Sequence, residues 1–254
     1  LPPPPATAPT RRWLLAGAAG AMAAGIAGIV AWPYLTVERV TTARGEIRRL
    51  PLADGSVATI DTSSSLRVAM ADDARRVALQ KGQAWFQVAK DRKRPFVVDA
   101  GIAQVRAVGT AFSVCRTNSG VRVAVTEGSV AAWPTDSGGT MTILEAGQYA
   151  IFRPGAAAPE VATEPAAIER SLAWRSGEIS LENETLGSAV EQFNRYNRQQ
   201  LVIADPDLAG QRLVGLFQID RPADFAATLA ASLDVAVTTT PAEIRLARKK
   251  NPLP

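Results

Sequence analysis

The sequence predicts a mainly β chain that ends in a small α+β module, with a single apolar helix ahead of both. Three observations predict it. Between residues 41 and 153, short apolar–polar alternations recur roughly every 8–12 residues, each closed by a turn rich in Gly, Asp or Asn. After residue 173 the pattern becomes an alternation of strands and helices. Residues 13–32, WLLAGAAGAMAAGIAGIVAW, hold no charge over 20 positions.

Composition narrows the function classes. The 254 residues suit one or two ordinary domains with enough chain to bury a core. The net charge of +4 comes from 28 basic and 24 acidic residues scattered among one another. Basic clusters interleaved with aromatics are absent, which argues against nucleic-acid binding. The chain has no His, the usual general base and commonest metal ligand. Its one Cys, Cys115, rules out an internal disulfide and a multi-thiolate metal site.

Residues 1–12 open on LPPPPATAPT, a proline-rich run that reads as an extended linker on the cytoplasmic side, continuing from a part before Leu1. Residues 13–34 read as a transmembrane helix, because 20 residues at 1.5 Å each match the ~30 Å bilayer core. Arg11 and Arg12 precede it, and Trp13, Trp32 and Tyr34 suit its interfaces. The positive-inside rule then leaves everything after about residue 34 outside the cytoplasm. Thr10–Leu15 also has the look of a twin-arginine export signal, and A-x-A sites at Ala16–Ala18 and Ala21–Ala23 keep a processed signal open as the rival to an anchor.

Residues 41–153 form the β region. Asp54-Gly55 turns the chain between strands at Arg48–Ala53 and Val57–Asp61. Strands follow at Leu66–Met70 and, after an Asp72-Asp73 turn, at Arg75–Gln80. Lys81-Gly82 then reads as a turn before Ala84–Val88. Asp91–Arg94 is a solvated charged loop before the strand Phe96–Asp99. Val105, Ala107, Phe112 and Val114 alternate, Asn118-Ser119-Gly120 turns, and Val121, Val123 and Val125 alternate again before Ser129–Trp133. No internal repeat is visible, so the expectation is a layered or solenoid-like all-β domain, not a propeller.

Several motifs in this region recur in a known order: V-x-x-V-G-T-x-F-x-V from Val105, V-x-V-x-V-x-E-G-x-V from Val121, LADGSVATID at 52–61, VALQKGQAWFQVAK at 77–90 and RPFVV at 94–98. Together they resemble the FecR-type domain of transmembrane sigma-factor regulators in cell-surface signalling. The resemblance implies an inner-membrane relay with a periplasmic sensing part and a small helical cytoplasmic part that holds an extracytoplasmic-function sigma factor. That cytoplasmic part is not in this sequence. It also implies a candidate self-cleavage bond, Gly109–Thr110, broken through an N-to-O acyl shift by the Thr hydroxyl. The bland account of the pair is a Gly that permits a bulge or close packing, followed by a β-forming Thr.

Residues 154–173 are rich in Pro and Ala and read as a linker. Residues 174–248 then give strands at Gly177–Leu181, Gln200–Ala204 and Arg212–Ile219, and a closing hairpin of Val235–Thr239 with Glu243–Ala247. Thr185 caps a helix to Tyr196, with Leu186, Ala189, Val190 and Phe193 on one face, and Pro222 starts a second helix lined by Phe225, Leu229 and Leu233. The order βαβ-βαβ, with GLFQIDRPADFAATLAASL at its centre, resembles the short N-terminal domain shared by secretins and TonB-dependent transducers. The resemblance implies that this module contacts the periplasmic signalling domain of an outer-membrane TonB-dependent transducer. The expected contact is Leu213, Val214, Leu216, Phe217 and Ile219, since an unpaired strand edge accepts a partner strand.

Phosphate-binding glycine loops, nucleophile elbows and metal-ligand spacings do not occur, and the carboxylate pairs Asp72/Asp73 and Glu182/Glu184 lie in turn-like segments. The expectation is therefore a binding protein with no cofactor and no metal: a single-pass regulator of a sigma factor, in the usual setting of iron-siderophore uptake. The alternative is a membrane-anchored periplasmic scaffold without sigma-factor control. An enzyme acting on envelope polymers lacks its catalytic groups.

Overall fold

The computed structural model describes residues 37–71, 75–135 and 141–249. The anchor expected at 13–34, with Arg11 and Arg12, lies outside the described residues, as does the Asp72-Asp73 turn. Among the described residues no helix is long and apolar enough to cross a membrane.

Thirteen strands precede the first described helix: β1 Glu38–Thr41, β2 Arg48–Pro51, β3 Val57–Ile60, β4 Ser65–Met70, β5 Arg75–Gln87, β6 Phe96–Asp99, β7 Ala103–Ala107, β8 Ala111–Thr117, β9 Gly120–Glu127, β10 Ser129–Pro134, β11 Thr142–Glu145, β12 Gln148–Phe152 and β13 Glu160–Thr163. They make one 13-stranded sheet that curls over on itself. One layer runs β1-β4-β5-β6-β7-β10-β11 and the other β2-β3-β5-β8-β9-β12-β13. Pairing is antiparallel except between β5 and β6. The chain steps from layer to layer at β1–β2, β3–β4, β7–β8, β9–β10 and β11–β12, which gives the layered form of the expected β domain. The inward residues of both layers share one core, with the Phe86 ring 5.6 Å from Phe96 and 5.4 Å from Phe112.

Strand β5 belongs to both layers, and here the structure corrects the sequence. Lys81-Gly82 reads as a turn between two strands, yet the strand runs unbroken from Arg75 to Gln87. Its first half pairs with β4 and β6, its second with β3 and β8. Gly82 takes φ +85°, and a Cβ there would overlap Ser64, whose Oγ accepts the Gln83 N–H at 3.0 Å. The glycine redirects the strand from one layer to the other without ending it, the role of a bulge and not of a turn.

The buried Arg75 fastens the ends of this unit. Its guanidinium meets the equally buried Asp54 at 2.9 Å and donates to the carbonyls of Ala89 (2.8 Å) and Arg94 (2.6 Å). The Asp-Gly turn and the 89–94 loop are thereby held together, and with Nη2 donating to the Asp91 carbonyl at 3.3 Å each guanidinium nitrogen has an acceptor.

The segment expected as a linker is structured. β13 adds a strand to the second layer, and α1 (Pro165–Ser171) with the 3-10 turn Ala173–Ser176 buries Ile168, Leu172 and Trp174. After it come β14 Glu178–Thr185, α2 Leu186–Tyr196, β15 Gln200–Ile203, β16 Arg212–Gln218, α3 Pro222–Ser232, β17 Val235–Thr239 and β18 Glu243–Arg248, in the order the sequence predicts. β14 pairs with β16, while β15-β18-β17 form a separate sheet in which β15 and β18 run parallel. The α2 cap forms as expected: Thr185 Oγ1 accepts the Ser188 N–H at 3.1 Å.

This C-terminal module packs on the outer face of the second layer. Its core takes in Trp85 of β5, Ala124 of β9 and Tyr149 of β12 beside Trp174, Leu186 and Phe193. Arg175 stacks over the Trp85 ring at 4.4 Å, and Arg122 over Tyr149 at 4.3 Å.

Candidate functional site

Strand β16 is the open feature of the module. It pairs with β14 alone, so its second edge is unpaired among the described residues. Period-2 alternation divides the five residues expected to make a contact. Leu213 and Phe217 pack on the module core and Ile219 is buried, whereas Val214 and Leu216 are 77 % and 59 % exposed. The expected docking set is thus corrected to two outward residues, the other three being core that holds the strand in place. On the same face of β14, Glu182 and Ser180 stand opposite Val214 and Leu216, and Glu182 is engaged by Arg170 of α1. The helix screens β14 and leaves the apolar pair of β16 uncovered.

Behind β16 lies a row of rings. Phe217 meets Phe225 of α3 edge-on at 5.0 Å and Phe193 of α2 at 6.4 Å, while Phe193 stacks on Phe225 at 4.4 Å. The next turn of α2 reaches the β layers. Asp61, at the end of β3 and fully buried, accepts hydrogen bonds from Arg195 Nη2 at 2.6 Å and Tyr196 Oη at 3.0 Å through Oδ2, and from the Thr62 N–H at 2.7 Å through Oδ1. Burial raises the Asp61 pKa above the usual carboxylate range and outweighs the Arg195 charge and the hydrogen bonds that favour ionisation. Gly45 closes against the same helix end, for a Cβ there would lie 2.8 Å from the Tyr196 carbonyl oxygen. Sequence reasoning missed Asp61, Arg195 and Tyr196 as partners, because nothing local links positions 134 residues apart.

The Gly109–Thr110 bond lies between β7 and β8. Its flanks are pinned: the Asp91 N–H donates to the Val108 carbonyl and the Val88 N–H to that of Thr110, both at 2.9 Å. Gly109 has a packing reason to be glycine, since a Cβ would come within 2.9 Å of the Lys90 Cα. The Thr110 hydroxyl is buried and has no hydrogen-bond partner. Cys115 is half-buried, and burial pushes its thiol pKa up, which holds it protonated. Among the described residues no His, Cys, Asp and Glu cluster is arranged to hold a metal ion.

A curled two-layer β domain carrying an α/β module on one face defines the class. Residues 38–131 match the family model of the FecR protein. The match runs from β1 into β10, and β11–β13 complete the layers beyond it. Two crystal structures, each described as "a putative anti-sigma factor from Parabacteroides distasonis", share the fold with a TM-score of 0.67 and 20% identity. The likeness covers 84% of this chain and 100% of each of those chains, so it takes in the C-terminal module as well as the β layers. No curated protein matches the sequence.

Proposed function

We propose that this chain is a regulator of an extracytoplasmic-function sigma factor, anchored in the inner membrane by residues 13–34, that receives its signal in the periplasm through β16. The single observation that supports it is an unpaired strand edge with Val214 and Leu216 exposed, set on the module next to the layers that match the FecR family model. The partner is the signalling domain of a TonB-dependent outer-membrane transducer, with iron-siderophore uptake as the physiological setting. A strand of that domain adds to β16 by main-chain hydrogen bonds, and the two apolar side chains give register and selectivity. Occupancy reaches the β layers through Phe217, Phe193 and the α2 contact with Asp61. Relay of this kind is a coupling free energy between two sites and asks for no catalysis.

The test is calorimetry of the full chain in detergent against the purified signalling domains encoded in the same genome. Selective binding at micromolar Kd or tighter, abolished by Leu216→Lys, is the expected result. Binding to none of the domains sinks the relay and leaves the anchored scaffold in its place.

A second reading rests on the unpartnered Thr110 hydroxyl. Its oxygen attacks the Gly109 carbonyl carbon, the C–N bond breaks as the acyl group passes from nitrogen to oxygen, and the amine takes up the hydroxyl proton. Water then hydrolyses the ester, leaving a carboxylate at Gly109 and a free Thr110. Intact-mass analysis of purified chain decides it: two fragments that persist in Thr110→Ser and vanish in Thr110→Ala are expected, and the same fragments in Thr110→Ala exclude the step.

A further inference from the structure

A second feature of the β layers lies apart from β16 and shares only Arg195 with the relay. A cavity of about 840 Å³ opens between the ends of β5, β8 and β9 and the helix α2. Arg44, Lys81, Arg116 and Arg195 line it, and no carboxylate does. Asp61 offsets Arg195, but Arg44, Lys81 and Arg116 have no carboxylate partner among the described residues and repel one another unless an anion joins them.

Two of the four are held rigidly. Arg116 donates from Nη1 to the Leu79 carbonyl at 3.0 Å, and its guanidinium fills a slot that exists because residue 101 is glycine: a Cβ there would lie 2.8 Å from its Cζ. Arg195 is fixed through one nitrogen by Asp61. Arg44 and Lys81 are exposed, and their side chains make no hydrogen bond or ion pair among the described residues. Ser63, on the same wall, holds the left-handed backbone at φ +52° that a serine rarely adopts. Two fixed guanidinium forks with two exposed cations suit a tetrahedral oxyanion, because each fork offers paired N–H groups at phosphate spacing. The volume lies within the ~300–1,000 Å³ of small-molecule sites, so it also has room for the molecule that bears the anion.

We propose that this cavity binds the phosphate group of a small organic anion. Two sources present such a group, a soluble phosphate compound and a phospholipid headgroup. The site is separate from β16, and the variants below spare Arg195, the one residue that it shares with the relay.

Pyrophosphate is titrated calorimetrically into the full chain in phosphatidylcholine nanodiscs, at fixed ionic strength and without divalent cations. Saturable one-site binding is expected. Removal of two charge-assisted partners in the double variant Arg44→Ala/Lys81→Ala weakens it by about tenfold or more. Arg48→Ala, an exposed arginine outside the cavity, leaves it unchanged. Circular dichroism confirms that both variants fold, as their exposed positions lead one to expect. No saturable binding, or equal weakening in the two variants, overturns the proposal. Nanodiscs containing phosphatidylglycerol separate the sources: loss of pyrophosphate binding there assigns the site to a lipid headgroup, and unchanged binding assigns it to a soluble compound.

Discussion

At the scale of single residues, the Asp61 carboxylate is the most sensitive point of the molecule. It is out of water, and its only charged partner among the described residues, Arg195, is 47 % exposed. Arg195→Ala leaves a buried charge with hydrogen bonds alone. Loss of a partner from a fully buried pair costs ~3–5 kcal/mol, and solvent around the guanidinium reduces this to about 1–3 kcal/mol at pH 7. The pH dependence follows from the direction of the shift. The Asp61 pKa is higher folded than unfolded, so protons bind the native state more tightly, and acidification through that range removes the cost of the buried charge. Without Arg195 that pKa rises further. The gap in urea midpoint between variant and parent therefore narrows from pH 7 to pH 5; a gap that widens refutes the assignment. Tyr196→Phe loses one hydrogen bond to the same oxygen, about 1 kcal/mol by urea unfolding. None of this was legible in the sequence. Asp61 ends an ordinary alternating strand, and Arg195 sits on the expected polar side of a helix that was itself read correctly from Leu186, Ala189, Val190 and Phe193.

Whole elements were legible where alternation and turn chemistry agreed. The β2–β3 pair, β8–β9 and the β17–β18 hairpin follow the expected ranges to within a few residues. They failed where one residue has two uses. Gly82 punctuates a turn in most contexts, but here it bends β5 between layers, and the difference lies in Ser64, which closes over it. Gly82→Ala combines strain at φ +85° with a steric overlap, so a loss of about 2–3 kcal/mol in thermal or urea unfolding is expected. Residues 154–173 misled for another reason. Pro and Ala dominate their composition, and the spacing of Ile168 and Leu172, four apart on one helical face, is too brief to stand out. For β16, the sequence showed a strand and could not show which face is covered. Because Val214 and Leu216 touch solvent, Val214→Lys and Leu216→Lys change stability by less than ~0.5 kcal/mol while reducing partner binding tenfold or more. A matching loss of stability would show that the pair belongs to the core instead.

Taken as a molecule, residues 37–249 do not behave as two beads on a string. Trp85, Ala124 and Tyr149 point away from the first core and become part of the second, so each half completes the other's burial. Thermal unfolding is therefore expected as a single transition, with coincident midpoints from circular dichroism and from tryptophan fluorescence, to which Trp85 and Trp174 contribute from the shared core. Two separated midpoints would mean that the module folds alone and that the shared core is weak. The change near residue 173 from strands alone to strands alternating with helices was legible in the sequence. The shared core was not, because Trp85 and Tyr149 alternate like any strand residues and only the packing reveals which layer face they serve.

The Asp61–Arg195 contact also has a consequence in time. Ribosomes add ~5–20 residues each second, so the 134 residues between the two positions take roughly 7–27 s to appear. The layers are themselves complete only with β13 at Thr163, so for the last stretch before Arg195, roughly 2–6 s, they have their acid and not its counter-charge, and their outer face lacks its cover. The newborn first half waits for the second, and any factor that shields it during that wait acts on Asp61, Trp85 and Tyr149.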